Sequence, residues 1–428
     1  MTRGRFLYWV RQELTGPVVR AAQPLLYALA FVWRRMLRGT TFVAITGSAG
    51  KTTTKECLAT VLARRGRTFR TYRTQNGPLM VALNVLRVRP WHRFAVIEVA
   101  GAAPGMMATA ATILRPDVAI ILNVLQTHVR AFATPEDYAQ EKARLLASIT
   151  PGGLAFLNAD DEGVARMRAP DGVRVVRFGA APDAEFRLDD ARGAWPERLS
   201  FAMTHDGSTV RVQTQLVGTQ WLSGVGAVMA CAMMLGVEPQ AAAAALAAAP
   251  PFAARLNPMR LPNGAIVLRD DIGASVDTIE PALRVLQDAT APRKLLVMTD
   301  ISDFGQDRRQ RLKYLGRRAG EVADGVVFIG DLASYGVRRA IDAGMHPDQG
   351  HAFKTLREAA EFLRTELRSG DLVLLKGRST DHAARIFFAQ IGAVGCWKDP
   401  CRKQMLCDTC WELGITPEEA ARASIVAR

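Results

Sequence analysis

Acid is scarce at the start of this chain. Among the first forty residues Glu13 is the only carboxylate, against arginines at positions 3, 5, 11, 20, 34, 35 and 38. Long apolar runs are missing there too. Pro24 to Trp33 is a stretch of ten residues, whereas a helix that crosses a bilayer needs about 20, so this segment is not a transmembrane span. No apolar run followed by a small-residue cleavage site suggests a secretory leader, and a cytoplasmic, reducing setting is expected for the six cysteines. Internal repeats are absent, as is low complexity beyond the alanine-rich 241–249. Basic and aromatic residues are not interleaved as in a nucleic-acid module, which argues against a nucleic-acid partner.

What is present is a folded chain of several domains. With 428 residues, 49% of them hydrophobic, two or three cores are expected. Fifty-five basic against 41 acidic residues leave a net charge of +14, suited to nucleotides or an anionic membrane surface. The arginine-flanked segment with Phe6, Tyr8, Trp9, Tyr27, Phe31 and Trp33 fits a helix packed on the next domain. An interfacial helix has the same composition, which leaves open a peripheral membrane contact through residues 1–38.

From about 41 to 250, short apolar runs alternate with helical patterns. Phe42 to Thr46, Phe94 to Val99, Val118 to Val124 and Gly153 to Leu157 read as buried strands, with helices from Lys51, Pro104, Pro135 and Asp161. This predicts a doubly wound α/β domain with a mainly parallel sheet. Leu199–Met203 and Thr209–Gln213, joined by a turn at 205–208, predict a small β-hairpin insertion. Pro250-Pro251 marks a boundary, and strands at 265–268, 294–298, 325–329 and 371–375 predict a second, Rossmann-like domain. The expected organisation is an arginine-rich helical segment at 1–40, an ATP-binding domain at 41–250, a C-terminal Rossmann-like domain at 251–395 and a cysteine-bearing tail at 396–428.

The most specific local signal is Thr46-Gly47-Ser48-Ala49-Gly50-Lys51-Thr52-Thr53-Thr54, directly after the apolar strand. Glycines at a strand-to-helix turn let backbone N–H groups approach phosphates, and the helix N-terminus adds its dipole. Gly47, Ser48, Ala49, Gly50, Lys51, Thr52 and Thr53 are therefore expected to bind ATP, with Lys51 on the β/γ-phosphates and the Thr52 hydroxyl on Mg²⁺. Glu98 ends the next strand, where ligands bind in open α/β sheets, and is a candidate Mg²⁺ ligand.

The ordered set of strand-GSAGKTTT-helix, Gln75-Asn76-Gly77-Pro78-Leu79, Ile97-Glu98, Asn123 to His128, Glu141-Lys142-Ala143 and Asn158-Ala159-Asp160-Asp161 resembles the Mur ligases. Within them the chain is most similar to the branch that adds D-alanyl-D-alanine to a UDP-muramoyl tripeptide. The resemblance covers about 41 to 390 and implies that ATP phosphorylates a carboxylate, an amine attacks the acyl phosphate, and an amide forms. It implies Glu98 and His128 as metal ligands and Lys142 as a carbamylated lysine. It also implies Arg255 and Asp271 as nucleotide contacts, and Asn76, Lys376 and Arg378 at the substrate.

Several segments depart from that pattern. Forty arginine-rich residues stand where the resembled enzymes carry a UDP-sugar domain. Gln220-Trp221-Leu222-Ser223-Gly224 replaces a segment near the nucleotide base and Ile272-Gly273-Ala274-Ser275-Val276 the loop after Asp271, so base contacts and acceptor recognition are expected to differ, and Arg144 stands where an acid is usual. The carboxylate and amine substrates are therefore expected to be non-standard. Cys396, Cys401, Cys407 and Cys410 have no counterpart; their crowding suggests Zn²⁺ or an Fe–S cluster, with free thiols as the alternative. Two rivals to a ligase remain at this level. One is a degenerate nucleotide-binding scaffold that recruits a protein partner, the other a P-loop kinase.

Overall fold

A computed structural model describes residues 17–125, 131–301, 308–401, 403, 405–416, 419, 423 and 425. Its chain divides into two compact units. One comprises Met1–Arg187, Thr204–Ser208 and Ser223–Ala242; the other Leu188–Met203, Thr209–Leu222 and Ala243–Arg428.

The first unit opens with α1 (Pro17–Met36), followed by β1 (Thr41–Thr46), α2 (Lys51–Leu62), β2 (Thr68–Arg70), α3 (Pro78–Arg87), β3 (Phe94–Glu98), α4 (Met106–Leu114), β4 (Val118–Ile121), α5 (Pro135–Ala143), β5 (Leu154–Asn158), α6 (Glu162–Ala165) and β6 (Arg174–Gly179). These six strands lie in the order β2-β3-β1-β4-β5-β6, every pair parallel. Helices cover both faces, which is why the central strands are apolar throughout rather than alternating. Phe42, Ala44, Ala95, Ile97, Ala119, Ile121, Ala155 and Leu157 form one face of the core. Beyond β6 the sheet continues through β7 (Phe186–Arg192), β8 (Ser200–His205) and β9 (Ser208–Gln213). The β8–β9 turn places Asp206 at φ 47° and Gly207 at φ 73°, the two positive values a tight primed hairpin turn requires.

Helix α1 is part of this unit. It packs on α3 and α4, with Ala30 and Leu37 buried in the core. Arg34 is 6% exposed and fixes the contact. Its guanidinium donates to the carbonyls of Leu114 and Arg115 at the end of α4, at 2.8 and 2.7 Å, and to Asp117 at 3.0 Å, while lying 4.1 Å from the Phe42 ring centre. A cation on exposed helix-terminal carbonyls satisfies them and opposes the helix dipole. Farther along, α7 (Leu222–Met234) and α8 (Pro239–Ala248) are alanine-rich. Gly224 permits close approach of α7 to α2, since a Cβ there would come within 2.6 Å of Thr54 Oγ1.

The second unit is built on β10 (Asn257–Arg260), β11 (Ile266–Asp270), α9 (Val276–Asp288), β12 (Arg293–Met298), α10 (Arg308–Val322), β13 (Gly325–Ile329), α11 (Ala333–Asp342), β14 (Gly350–Phe353), α12 (Leu356–Glu366), β15 (Asp371–Lys376) and α13 (Ala384–Ile391). Its sheet order is β10-β11-β15-β12-β13-β14, with β10 antiparallel and the rest parallel. Successive residues of each strand feed opposite cores: Leu268, Leu296, Phe328 and Leu374 one, Val267, Val297, Val327 and Val373 the other. The C-terminal tail returns to the β10 edge, where Arg260 N donates to Ala423 O at 2.7 Å and Ile425 N to Pro258 O at 3.1 Å.

Candidate functional site

The chain leaves β1 into a loop whose shape depends on two glycines. Gly50 caps α2 at φ 82°, a left-handed value that glycine alone adopts cheaply. A Cβ on Gly47 would stand 3.0 Å from Leu122 Cβ. Asn123 organises the loop from the end of β4: its Oδ1 accepts from Ser48 N at 2.8 Å and Ala49 N at 2.9 Å. This explains why β4 stops at Ile121 rather than running to Val124 as the apolar pattern suggests. The residues past it turn toward the loop, with Asn123 O accepting from Ser48 N at 3.1 Å. Lys51 Nζ folds back on the carbonyls of Gly47 and Ser48, at 2.7 and 3.1 Å.

Glu98 closes the other side. It is 1% exposed, and its carboxylate accepts from Thr52 Oγ1 at 3.0 Å and from Asn76 Nδ2 at 2.7 Å. Lys55, fully buried, lies 3.9 Å from the same carboxylate and 2.9 Å from Glu56, and donates to Thr71 O at 2.9 Å and to Arg73 O. One buried ammonium thus ties α2 to the segment that delivers Asn76. The sequence pattern did not single out Lys55, because a lysine in a helix's second turn usually faces solvent.

Lys142 lies in α5, which starts with a Thr134–Asp137 capping box, and is 1% exposed. Burial pushes its pKa from the ordinary lysine value down to about 7, against the opposing pull of Asp161 and Glu141. Its Nζ lies 3.9 Å from the centre of the Tyr138 ring, and Ser48 Oγ lies 3.5 Å from the Tyr138 hydroxyl. Tyr138 therefore bridges Lys142 and the phosphate-type loop. Glu141 accepts from Met107 N at 2.7 Å, and Asp161 from Val124 N at 3.1 Å. Arg144 turns to Glu141, with 3.3 Å between Nε and the carboxylate. His128 lies outside the described residues.

These residues suit a Mg²⁺-bound triphosphate. The loop is shaped by glycines at positions a side chain would obstruct or strain, and Thr52 with Glu98 offers the hard oxygen donors that Mg²⁺ prefers. Thr53 Oγ1, next in the chain, is buried with no hydrogen-bond partner among the described residues.

The expected residues of the second unit have other partners at hand. Asp271 is 3% exposed and binds the Arg269 guanidinium through both oxygens, at 3.1 and 3.2 Å; Arg269 in turn holds Asp408. Arg255 lies between Ala254 (φ 60°) and Leu256 (φ 47°), its guanidinium beside Gly273. Lys376 is fully buried and 2.5 Å from Asp270, and Arg378 pairs with Asp381 and Asp300.

The cysteine cluster requires a correction. Among the described residues no group of three or more Cys, His, Asp or Glu side chains is arranged to hold a metal ion, so the structure does not support the Zn²⁺ or Fe–S site expected from Cys396, Cys401, Cys407 and Cys410. The four line one pocket with His382, Arg385, Lys403 and Glu412, in which Lys403 pairs with Glu412 at 2.7 Å. Cys407 Sγ is 3.4 Å from His382 Nδ1, Cys396 Sγ 3.9 Å from Glu412, and Cys410 Sγ 3.6 Å from Lys403. Packing orders the tail instead: Cys407 and Leu413 enter the core, and Asp408 pairs with Arg269.

A glycine loop after a parallel strand, a lysine-threonine helix start and a buried strand-end glutamate define a P-loop nucleotide-binding α/β protein. The family known as the Mur ligase middle domain matches residues 45–232, and the Mur ligase glutamate ligase domain matches 254–379. The chain belongs to the Mur ligase family and is an ATP-dependent ligase that joins a carboxylate to an amine. The UDP-N-acetylmuramoyl-tripeptide–D-alanyl-D-alanine ligase of Mycobacterium tuberculosis H37Rv is 29% identical over 388 residues, covering 85% of this chain and 75% of that protein. The Escherichia coli K12 ligase of the same name is 27% identical over 317 residues, covering 73% and 70%. The crystal structure of MurF from Acinetobacter baumannii has a TM-score of 0.79 at 26% identity, covering 86% of this chain and 80% of that one. MurF from Thermotoga maritima, solved with ADP, shares the fold with a TM-score of 0.70 at 23% identity, covering 85% and 83%.

Proposed function

We propose that this enzyme activates a carboxylate as an acyl phosphate at the Gly47–Thr53 loop and passes the acyl group to an amine. The carboxylate oxygen takes the γ-phosphoryl group and ADP departs. The amine nitrogen then bonds to the acyl carbon, losing a proton, and phosphate leaves. Lys51 and the loop N–H groups hold the triphosphate, with Asn123 fixing the loop. Thr52 and Glu98 would hold Mg²⁺, which would offset the negative charge gathered between triphosphate and carboxylate.

The observation that carries this reading is the buried Lys142 beside Tyr138. An ordinary lysine is almost wholly protonated at neutral pH and scarcely reacts with carbon dioxide; one pushed down to about 7 is about half free amine there. Its nitrogen bonds to the carbon of CO₂ and releases a proton, giving a carbamate, an anionic oxygen donor where the sequence supplies a cation. Arg144, paired with Glu141, keeps its own charge engaged at the helix surface.

The substrates are a carboxylate and an amine other than the standard UDP-muramoyl tripeptide and D-alanyl-D-alanine. Support comes from Ile272-Gly273-Ala274-Ser275-Val276, which stands where the resembled branch carries its acceptor-recognition loop. The test is amine-dependent ADP release across a carboxylate panel that includes the UDP-muramoyl tripeptide. Turnover with that tripeptide matching or exceeding all others would refute the substrate reading. ATP binding with no amine-dependent turnover on any pair would refute the ligase chemistry and leave a nucleotide-binding scaffold.

A further inference from the structure

We propose that the outward face of α1, together with the adjoining loop 88–93, docks this protein on an anionic lipid surface. A helix that serves only to complete a core needs one apolar face. Helix α1 has two. Ala30, Arg34 and Leu37 face inward, whereas Leu25, Leu29, Val32 and Met36 are 62, 49, 56 and 65% exposed. Their spacing of i, i+4, i+7 and i+11 aligns them in a single outward stripe. With Phe31 included, this helix holds five of the nine large hydrophobic residues exposed among those described.

The stripe continues into a neighbouring aromatic. Trp33 Nε1 donates to Val88 O at 3.0 Å and Thr40 Oγ1 to His92 O at 2.7 Å, pinning loop 88–92 beside the C-terminal end of α1. Trp91 on that loop is 60% exposed. Indole rings beside aliphatic side chains suit the headgroup level of a bilayer, where one edge is wet and the other apolar.

Charge selects the occupant. No carboxylate occurs between Pro17 and Thr40, and Arg38, Arg87, Arg89 and Arg93 are exposed at the same end. The Arg35 guanidinium lies 3.2 Å from the centre of the Phe31 ring, a cation carried on an apolar platform. Three further arginines precede α1 in the sequence, at 3, 5 and 11. Lipid phosphates complement this set, because arginines held near an anionic leaflet are drawn to its surface potential. No described helix is long and apolar enough to cross a membrane, so the contact lies in the interface plane. None of these residues belongs to the nucleotide site.

The experiment is co-sedimentation of the full-length protein with vesicles of phosphatidylglycerol and phosphatidylcholine in equal parts, against vesicles of phosphatidylcholine alone. The protein is expected to sediment with the anionic vesicles and to be released by high salt. L25S/V32S is expected to weaken partitioning by about tenfold or more, given about 0.8 kcal/mol per buried methylene, with ATP affinity unchanged. R38E/R89E should weaken it on anionic vesicles alone. Protein that stays in the supernatant, or an L25S/V32S variant that sediments like the parent, would overturn the proposal. So would sedimentation equilibrium showing that the stripe instead joins two copies, with L25S/V32S yielding monomer and no change on vesicles.

Discussion

Thr52 Oγ1 donates to Glu98 Oε2 across 3.0 Å, joining the first turn of α2 to the last residue of β3. Two adjacent parallel strands, β1 and β3, are in register from Thr41 to Ile45 opposite Phe94 to Glu98, and that register brings the strand-end carboxylate to the helix start. If the pair holds Mg²⁺, Thr52→Val should lower kcat/KM for ATP by about a hundredfold, the scale of losing one well-placed charge-stabilising contact, while Thr52→Ser keeps most of it. Steady-state ADP release over a magnesium titration measures both. An unaffected Thr52→Val would remove the hydroxyl from the ion.

The Asn123 side chain braces the loop between β1 and α2. Asn123→Ala removes the side-chain acceptor for Ser48 N and Ala49 N, hydrogen bonds of about 1 kcal/mol each, and leaves Ser48 N only the backbone carbonyl at 3.1 Å. The KM for ATP should rise by about tenfold, with a smaller change in kcat. A variant whose ATP affinity equals that of the parent would show that the loop keeps its shape unaided.

Arg34→Met tests how α1 is attached. The change strips Leu114 O and Arg115 O of their charged donor but leaves Asp117 bonded to Phe42 N at 2.8 Å and Thr150 Oγ1 at 3.1 Å. A loss of roughly 2–4 kcal/mol in urea unfolding is expected. Arg34→Lys should recover only part of it, since one ammonium cannot reproduce the fork.

His382 makes the second unit sensitive to acid. Burial, reinforced by Arg385, holds its pKa below the ordinary histidine value of 6.5, and its Nε2 is buried with no hydrogen-bond partner among the described residues. The unfolded chain takes up the proton first. Stability from this group is therefore present above pH 6.5 and lost as the pH falls toward the folded-state value. Thermal melts of His382→Gln should show a shallower decline below pH 6.5 than the parent; parallel curves would rule the residue out.

Thiol labelling reads out the tail. Cys401 and Cys410 are partly exposed, whereas Cys57, Cys231, Cys396 and Cys407 are buried, and burial pushes Cys57 and Cys407 up to about 12. An aromatic disulfide reagent should modify Cys401 and Cys410 first in the native protein, without prior chelation. Protection of all four tail cysteines until a chelator is added would instead indicate a bound metal ion.

Local chemistry made much of this site readable in one dimension. Gly47, Gly50, Lys51 and Thr52 fall in one short run, because a phosphate-binding loop is a local structure, and the apolar runs around Phe42, Phe94 and Val118 announced buried parallel strands. Short edge elements were missed. β2 spans three residues and β14 four, too few for a period to show. The β4 boundary was overrun because Leu122 and Val124 look like strand, while the hydrogen bonds of Asn123 that end it reach back more than seventy residues.

By itself, then, the sequence determined the layered α/β architecture, the phosphate-type loop and the order of its motifs, since each depends on backbone propensity and side-chain period over a few turns of chain. Tertiary structure alone decided the burial of Lys142 and with it the downward shift of its pKa, which follows from how completely its neighbours exclude water. It decided that the four crowded cysteines line one pocket with His382, Arg385 and Lys403, because thiol geometry depends on how the tail packs against α13. It also decided that α1 buries one apolar face and leaves the other exposed, a division that composition cannot express because both faces are apolar.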